Sequence, residues 1–163
     1  MKHLKTFESI DIQFDLEKAV HQNNVDLTIK ALSNGANPNI KDKFDLYLLS
    51  LAVFNNNIDI VKELIKAGSN LNVQNKSGFT PLIDAARDRG IRNKVRKGWE
   101  KNIYEENILE ELIKAGANWN IKNVEGEDFF DFLIDYFREP IIDKYPKQYK
   151  KYLIKKNAEK YNL

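Results

Sequence analysis

Carboxylates are the side chains of this 163-residue chain that gather most closely, as Glu105-Glu106, Glu110-Glu111 and the series Asp128, Asp131, Asp135. Such groups serve acid–base or metal chemistry only in a closed pocket that displaces their pKa values. On amphipathic helices they are instead expected as solvated faces, or as first-turn charges favoured by the helix dipole. His3 and His21 belong to no His-x-x-x-His frame, and the absence of cysteine excludes thiolate metal sites, cysteine nucleophiles and disulfides. No Gly-x-x-x-x-Gly-Lys-Ser/Thr loop, Gly-x-Gly-x-x-Gly turn or Gly-x-Ser-x-Gly elbow occurs. The expectation is therefore a non-enzymatic protein, with no cofactor and no metal.

Positive charge is distributed less evenly than the formal net charge of +2 suggests. Residues 87–101 hold Arg87, Arg89, Arg92, Lys94, Arg96, Lys97 and Lys101 against Asp88 and Glu100, with Trp99 among them. Arg and Trp are the side chains most enriched at interface hot spots. A second basic run, Lys147, Lys150, Lys151, Lys155, Lys156 and Lys160, lies near the C-terminus. It is read as the wet outer face of a closing helix, with a phosphate-binding strip as the alternative.

The elements that position these groups repeat. Gly-small-Asn-x-Asn occurs at Gly35-Ala36-Asn37-Pro38-Asn39, Gly68-Ser69-Asn70-Leu71-Asn72 and Gly116-Ala117-Asn118-Trp119-Asn120. The first two copies are 33 residues apart and the third follows after 48, a period plus a 15-residue insertion. A helical apolar pattern precedes each glycine, the expected helix stop because glycine takes the left-handed conformation at little cost. Periods of this length signal stacked repeats, each covering the apolar stripe of its neighbour.

The segment Ser77-Gly78-Phe79-Thr80-Pro81-Leu82-Ile83-Asp84-Ala85-Ala86 resembles the Gly-x-Thr-Pro-Leu-His-x-Ala-Ala signature of the ankyrin-repeat family. Thr80 is suited to cap a helix and Pro81 to its first position. The preceding unit departs from that pattern at Asp45, Tyr47 and Leu48, so its turn and cap are expected to be less secure. The following unit keeps Gly126, with Asp128 as cap and Phe129-Phe130 in the Pro-Leu slots.

The resemblance implies one all-α solenoid of about four stacked helix-turn-helix repeats with short β-hairpin fingers and a C-terminal capping helix. Units are placed at about residues 14–40, 41–73, 74–121 and 122–140, with the insertion near 87–106 and the closing helix at about 146–160. The first unit is expected to begin with a helix over residues 15–20, and the fourth with one over 128–137 that stops before Pro140.

Family members grip partners with the finger tips and the exposed side of the first helices, on a concave face. Carried over singly, this implies Lys43, Phe44, Leu46 and Phe54 in the second unit. The third unit supplies Lys76, Phe79 and Arg87, the fourth Glu125 and Tyr136, and the insertion adds Arg92, Arg96 and Trp99. Val124, Glu127, Asn55, Ser77, Asp88, Asp135, His21 and Gln22 occupy flanking positions of the same kind. Phe44, Leu46, Phe54 and Phe79 are read as an apolar contact patch, or else as packing between adjacent fingers. The insertion has two compatible readings, a cationic contact or an apolar stripe of Ile91, Val95 and Trp99 laid on the stack.

The expected function is protein–protein interaction with a partner that carries an acidic patch, as an inhibitor or neutraliser. The alternative is nucleic-acid binding through the insertion and the C-terminal lysines. Neither a signal peptide nor an 18-residue apolar run is present, so a cytoplasmic monomer without a membrane partner is expected.

Overall fold

The computed structural model describes residues 2–87, 108–133 and 135–161, with side chains over 11–87, 108–133 and 138–161. Its elements in chain order are α1 (Lys2–His21), α2 (Val25–Ser33), α3 (Leu48–Phe54), α4 (Ile58–Lys66), α5 (Pro81–Arg87), α6 (Ile108–Lys114), α7 (Phe129–Phe132), α8 (Asp135–Lys144) and α9 (Pro146–Tyr161). First helices α1, α3, α5 and α7 pack in one row and second helices α2, α4 and α6 in another, each unit touching the next. The insertion residues Ile91, Val95 and Trp99 lie outside the described residues.

Local chemistry accounts for both ends of these short helices. Asn24 Oδ1 accepts from Leu27 N and Asn57 Oδ1 from Ile60 N, each at 3.0 Å, and Thr80 Oγ1 accepts from Ile83 N at 3.2 Å. Tyr47, at the corresponding place before α3, makes no capping hydrogen bond. At the far ends Gly35, Gly68 and Gly116 take φ of 90°, 88° and 94°. The next residue then donates back into the helix, as Ala36 N to Ala31 O, Ser69 N to Leu64 O and Ala117 N to Leu112 O.

The Gly-small-Asn-x-Asn loops are chained through their amides. Asn39 Oδ1 accepts from Asn70 N at 2.6 Å, and Asn72 Oδ1 accepts from Asn118 N at 2.9 Å across the insertion. Gln13 Oε1 accepts from Asn37 N at one end of the chain, and Asn120 Nδ2 donates to Tyr152 O of α9 at the other. Between the rows runs one core that includes Leu16, Leu49, Ala52, Leu64, Leu82, Ile83, Ala85, Ala86, Leu112 and Phe129. The alanines in its first helices keep adjacent backbones close.

The fingers hold less strand than a hairpin ladder: among the described residues there is one isolated antiparallel bridge, Lys41 to Tyr47. Side chains close them instead. Asp42 Oδ1 accepts from Phe44 N and Leu46 N, Asn75 Oδ1 from Ser77 N and Phe79 N, and Asn123 Oδ1 from Glu125 N and Glu127 N. Each finger therefore turns on one Asx residue that satisfies two orphan N–H groups.

Three expectations need correction. The first helix spans Lys2–His21 rather than beginning at 15, because neither Pro nor Gly interrupts that stretch. In the fourth unit the helix over 128–137 breaks at Leu133, which is extended (ψ 115°), and α8 runs through Pro140. The break is held by Arg138, whose Nη2 and Nε donate to Phe130 O at 2.9 Å and Leu133 O at 3.1 Å. Pro140 lies in the middle of α8, where its missing N–H deprives one carbonyl of its partner.

The third concerns the carboxylates: Glu110 and Asp128 do stand at helix N-termini, Asp128 as the expected cap, but both are buried and neither lies on a solvated face. Glu110 accepts both its oxygens' bonds from Lys144 Nζ at 2.8 Å. Asp128 caps α7 through Phe130 N at 2.9 Å and also accepts from Tyr152 Oη and Lys156 Nζ, each at 3.1 Å. That second role ties α9 to the fourth unit. Burial is the main cause that pushes the Tyr152 hydroxyl up to about 12. Burial also works against the Lys156 charge, but hydrogen bonds to Tyr152 and Asp128 outweigh it and hold the ammonium above its ordinary value.

Candidate interaction surface

The second finger is built from α1 upward. Glu17 Oε1 accepts from Lys43 N at 3.2 Å, and His21 Nε2 stands 3.0 Å from Asp42 Oδ2, an ion pair whenever the imidazole carries its second proton. The Asp42 side chain is fully buried, and among the described residues this oxygen has no hydrogen-bond partner. Asp45 fills the position that glycine holds in the next two fingers, with φ of 66° against 77° at Gly78 and 82° at Gly126. Aspartate tolerates this conformation better than most residues, and Lys41 Nζ reaches its carboxylate at 2.7 Å.

So held, the finger leaves Phe44 64% exposed, edge-on to the His21 ring at 6.3 Å with Lys43 Nζ 5.0 Å from its own ring. Phe54, the last residue of α3, is 85% exposed. Leu46 is half-buried. Lys76 is exposed, its Nζ 3.8 Å from Asp45 Oδ2 of the preceding finger.

Phe79 behaves differently from Phe44. It is half-buried and meets Phe132 edge to face at 5.6 Å, while the Arg87 guanidinium lies 3.7 Å from its ring and 5.4 Å from that of Phe132. The four apolar residues thus divide: Phe44 and Phe54 stand in water, whereas Phe79 joins the third unit to the fourth. Glu125 and Val124 are exposed on the last finger. Tyr136 lies on α8 with its side chain outside the described residues, as are Arg92, Arg96 and Trp99 altogether.

Reading the sequence overlooked Asp84. It lies on α5 one turn before Arg87, with its Oδ1 3.6 Å from Nη1 and its side chain one-quarter exposed. Burial, opposed by Arg87, pushes its carboxyl from 3.8 up to about 6. The folded chain therefore keeps a proton that the unfolded chain releases, so stability falls as pH rises from about 4 to about 6 and levels above that. Asp84→Asn is expected to flatten this fall and to raise the melting temperature at neutral pH, a gain of at most about 3 kcal/mol. Thermal melts of both proteins across that pH range check it.

Among the described residues no three His, Asp or Glu side chains gather as a metal-binding group, and no helix is long and apolar enough to cross a membrane. No curated protein matches the chain. A family model described as ankyrin repeats (3 copies) matches residues 16–123. That span takes in the glycine-closed loops, the helices capped by Asn24, Asn57 and Thr80 and two of the three Asx fingers whole, more than half of the sequence, and the chain belongs to the ankyrin-repeat family.

Proposed function

We propose that this protein is a non-enzymatic module that captures a partner protein on the concave face formed by its fingers and first helices, aided by the basic insertion at 87–106. Ankyrin repeats are in general protein–protein interaction modules. The observation that carries the reading to particular residues is the pair Phe44 and Phe54, large rings that the second finger and the end of α3 leave in water. Buried aromatic anchors dominate binding energy at protein interfaces. Lys43 beside the Phe44 ring, with Lys76 on the next finger and Arg87 at the end of α5, favours a partner with an acidic patch. A small chain that covers such a patch would act by masking it, as an inhibitor or neutraliser in the cytoplasm, working as a monomer.

The test is capture of a partner from native lysate, its purification, and titration against variants. Phe44→Ser with Phe54→Ser is expected to weaken affinity by 100-fold or more, since two hot-spot losses amount to about 3–4 kcal/mol. Melting temperature should hold, because neither ring is in the core. Trp99→Ala with Arg96→Ala should also weaken capture without unfolding the chain. Unchanged affinity in both pairs would refute the reading.

A further inference from the structure

We propose that the outward face of α9 is a docking surface for an anionic phospholipid bilayer, separate from the finger face. The helix is fixed to the stack by one side. Tyr152 is buried, stacked on Phe130 at 4.6 Å and bonded to Asp128. Lys156 is drawn to the same carboxylate, and Glu159 pairs with Lys122 at 2.8 Å. These contacts consume the one carboxylate of α9 and one of its lysines.

What remains points away. With 3.6 residues per turn, Lys147, Lys150, Ile154 and Tyr161 share a stripe opposite Tyr152, and Lys151 lies at its edge. Ile154 and Tyr161 are each 63% exposed. Lys147, Lys150 and Lys151 are exposed and form no ion pair among the described residues. On the flanks stand Lys155 and Lys160, the latter with its ammonium 5.5 Å from the Tyr161 ring.

The chemistry of this stripe selects its occupant. A nucleic-acid backbone would press phosphates against Ile154 and Tyr161, and α9 offers no arginine for bidentate contact. A globular partner would need carboxylates at fixed places facing five flexible ammonium groups on a single convex helix. A leaflet of acidic lipids asks for neither: its charge is delocalised, flexible lysines reach it from a helix lying flat, and isoleucine and tyrosine enter the headgroup boundary. Sixteen residues give about 24 Å of such contact. The absence of a spanning helix has no bearing on one that lies on the surface.

The full chain should co-sediment with phosphatidylcholine vesicles that contain phosphatidylserine and not with pure phosphatidylcholine, and binding should weaken as salt is raised. Lys147→Gln, Lys150→Gln and Lys151→Gln together should lower the partition coefficient about 100-fold, near fivefold for each lysine. Ile154→Ser with Tyr161→Ser should lower it further while leaving the salt dependence in place. Phe44→Ser with Phe54→Ser should leave vesicle binding unchanged, which separates this surface from the proposed protein site. Equal binding to neutral vesicles, binding that survives the triple substitution, or loss of binding in the finger variant would overturn the proposal. So would RNA binding that depends on the three lysines but not on Ile154 and Tyr161, accompanied by no vesicle binding. Should the triple variant misfold, the lipid comparison and salt dependence of the unaltered chain still decide.

Discussion

Gly78→Ala is expected to destabilise the protein by about 3 kcal/mol and to lower its melting temperature by about 6–12 °C, the range for a domain of this size. Two causes add. Gly78 sits at φ of 77°, where an L side chain costs about 1–2 kcal/mol. A Cβ there would also stand 2.8 Å from Asn123 Cα and from Val124 N, both backbone atoms that cannot turn aside. The third and fourth fingers approach so closely because Val124 N donates to Ser77 O at 3.1 Å, and Gln74 Nε2 bridges Gly78 O and Lys122 O. Gly126→Ala provides the control, since its φ of 82° is similar but nothing lies within 4 Å of the added carbon. Chemical unfolding should show Gly126→Ala losing only the conformational share, about 1–2 kcal/mol; equal losses would mean that finger packing contributes nothing.

Asp128→Ala should have a comparable effect, near 3 kcal/mol. The substitution removes the cap of α7, worth about 1 kcal/mol, and leaves the buried Tyr152 hydroxyl without its acceptor, a further 1–3 kcal/mol. Lys156 adds little, because its side chain is 44% exposed and regains water. Tyr152→Phe keeps the ring stacked on Phe130 and should cost about 1 kcal/mol. A double-mutant cycle between the two positions should return a coupling of at least about 0.5 kcal/mol, the level expected for residues in one hydrogen-bond network. Strict additivity would show that α9 is held by its aromatic packing alone.

The glycine-closed loops and the Thr80-Pro81 cap were legible because each depends on neighbours within a few residues. The finger turns were equally local, and their signal was available: Asp42, Asn75 and Asn123 recur with the same spacings of 33 and 48 as the glycine loops. It was passed over because aspartate and asparagine look interchangeable with solvated polar residues until their backbone partners are seen. Asp45 in place of glycine was noticed as a defect, but its tolerance rests on Lys41 and on the permissiveness of aspartate in the left-handed region.

Contacts between distant segments were the illegible part. Arg138 interrupts the fourth unit by bonding carbonyls five and eight residues back. Asp128 looked like an ordinary cap and proved to be a buried junction, because its further partners arrive from α9. The same limit applied to Phe44 and Phe79, which stand two and four residues after the Asx residue of their fingers, where the other finger has Ser77 and Leu46. The first meets His21 and Lys43 and stays exposed, while the other is enclosed by Arg87 and Phe132. Repetition predicted their positions and could not predict that difference.

The central claim is that fingers and first helices form the gripping face. Amide hydrogen exchange of the chain, alone and with its purified partner, tests this most directly. Slowed exchange over the fingers, foremost residues 41–47, over α3 and α5 and over the insertion at 87–106 is the predicted result. Protection confined to the second helices α2, α4 and α6, with those fingers unchanged, would contradict it.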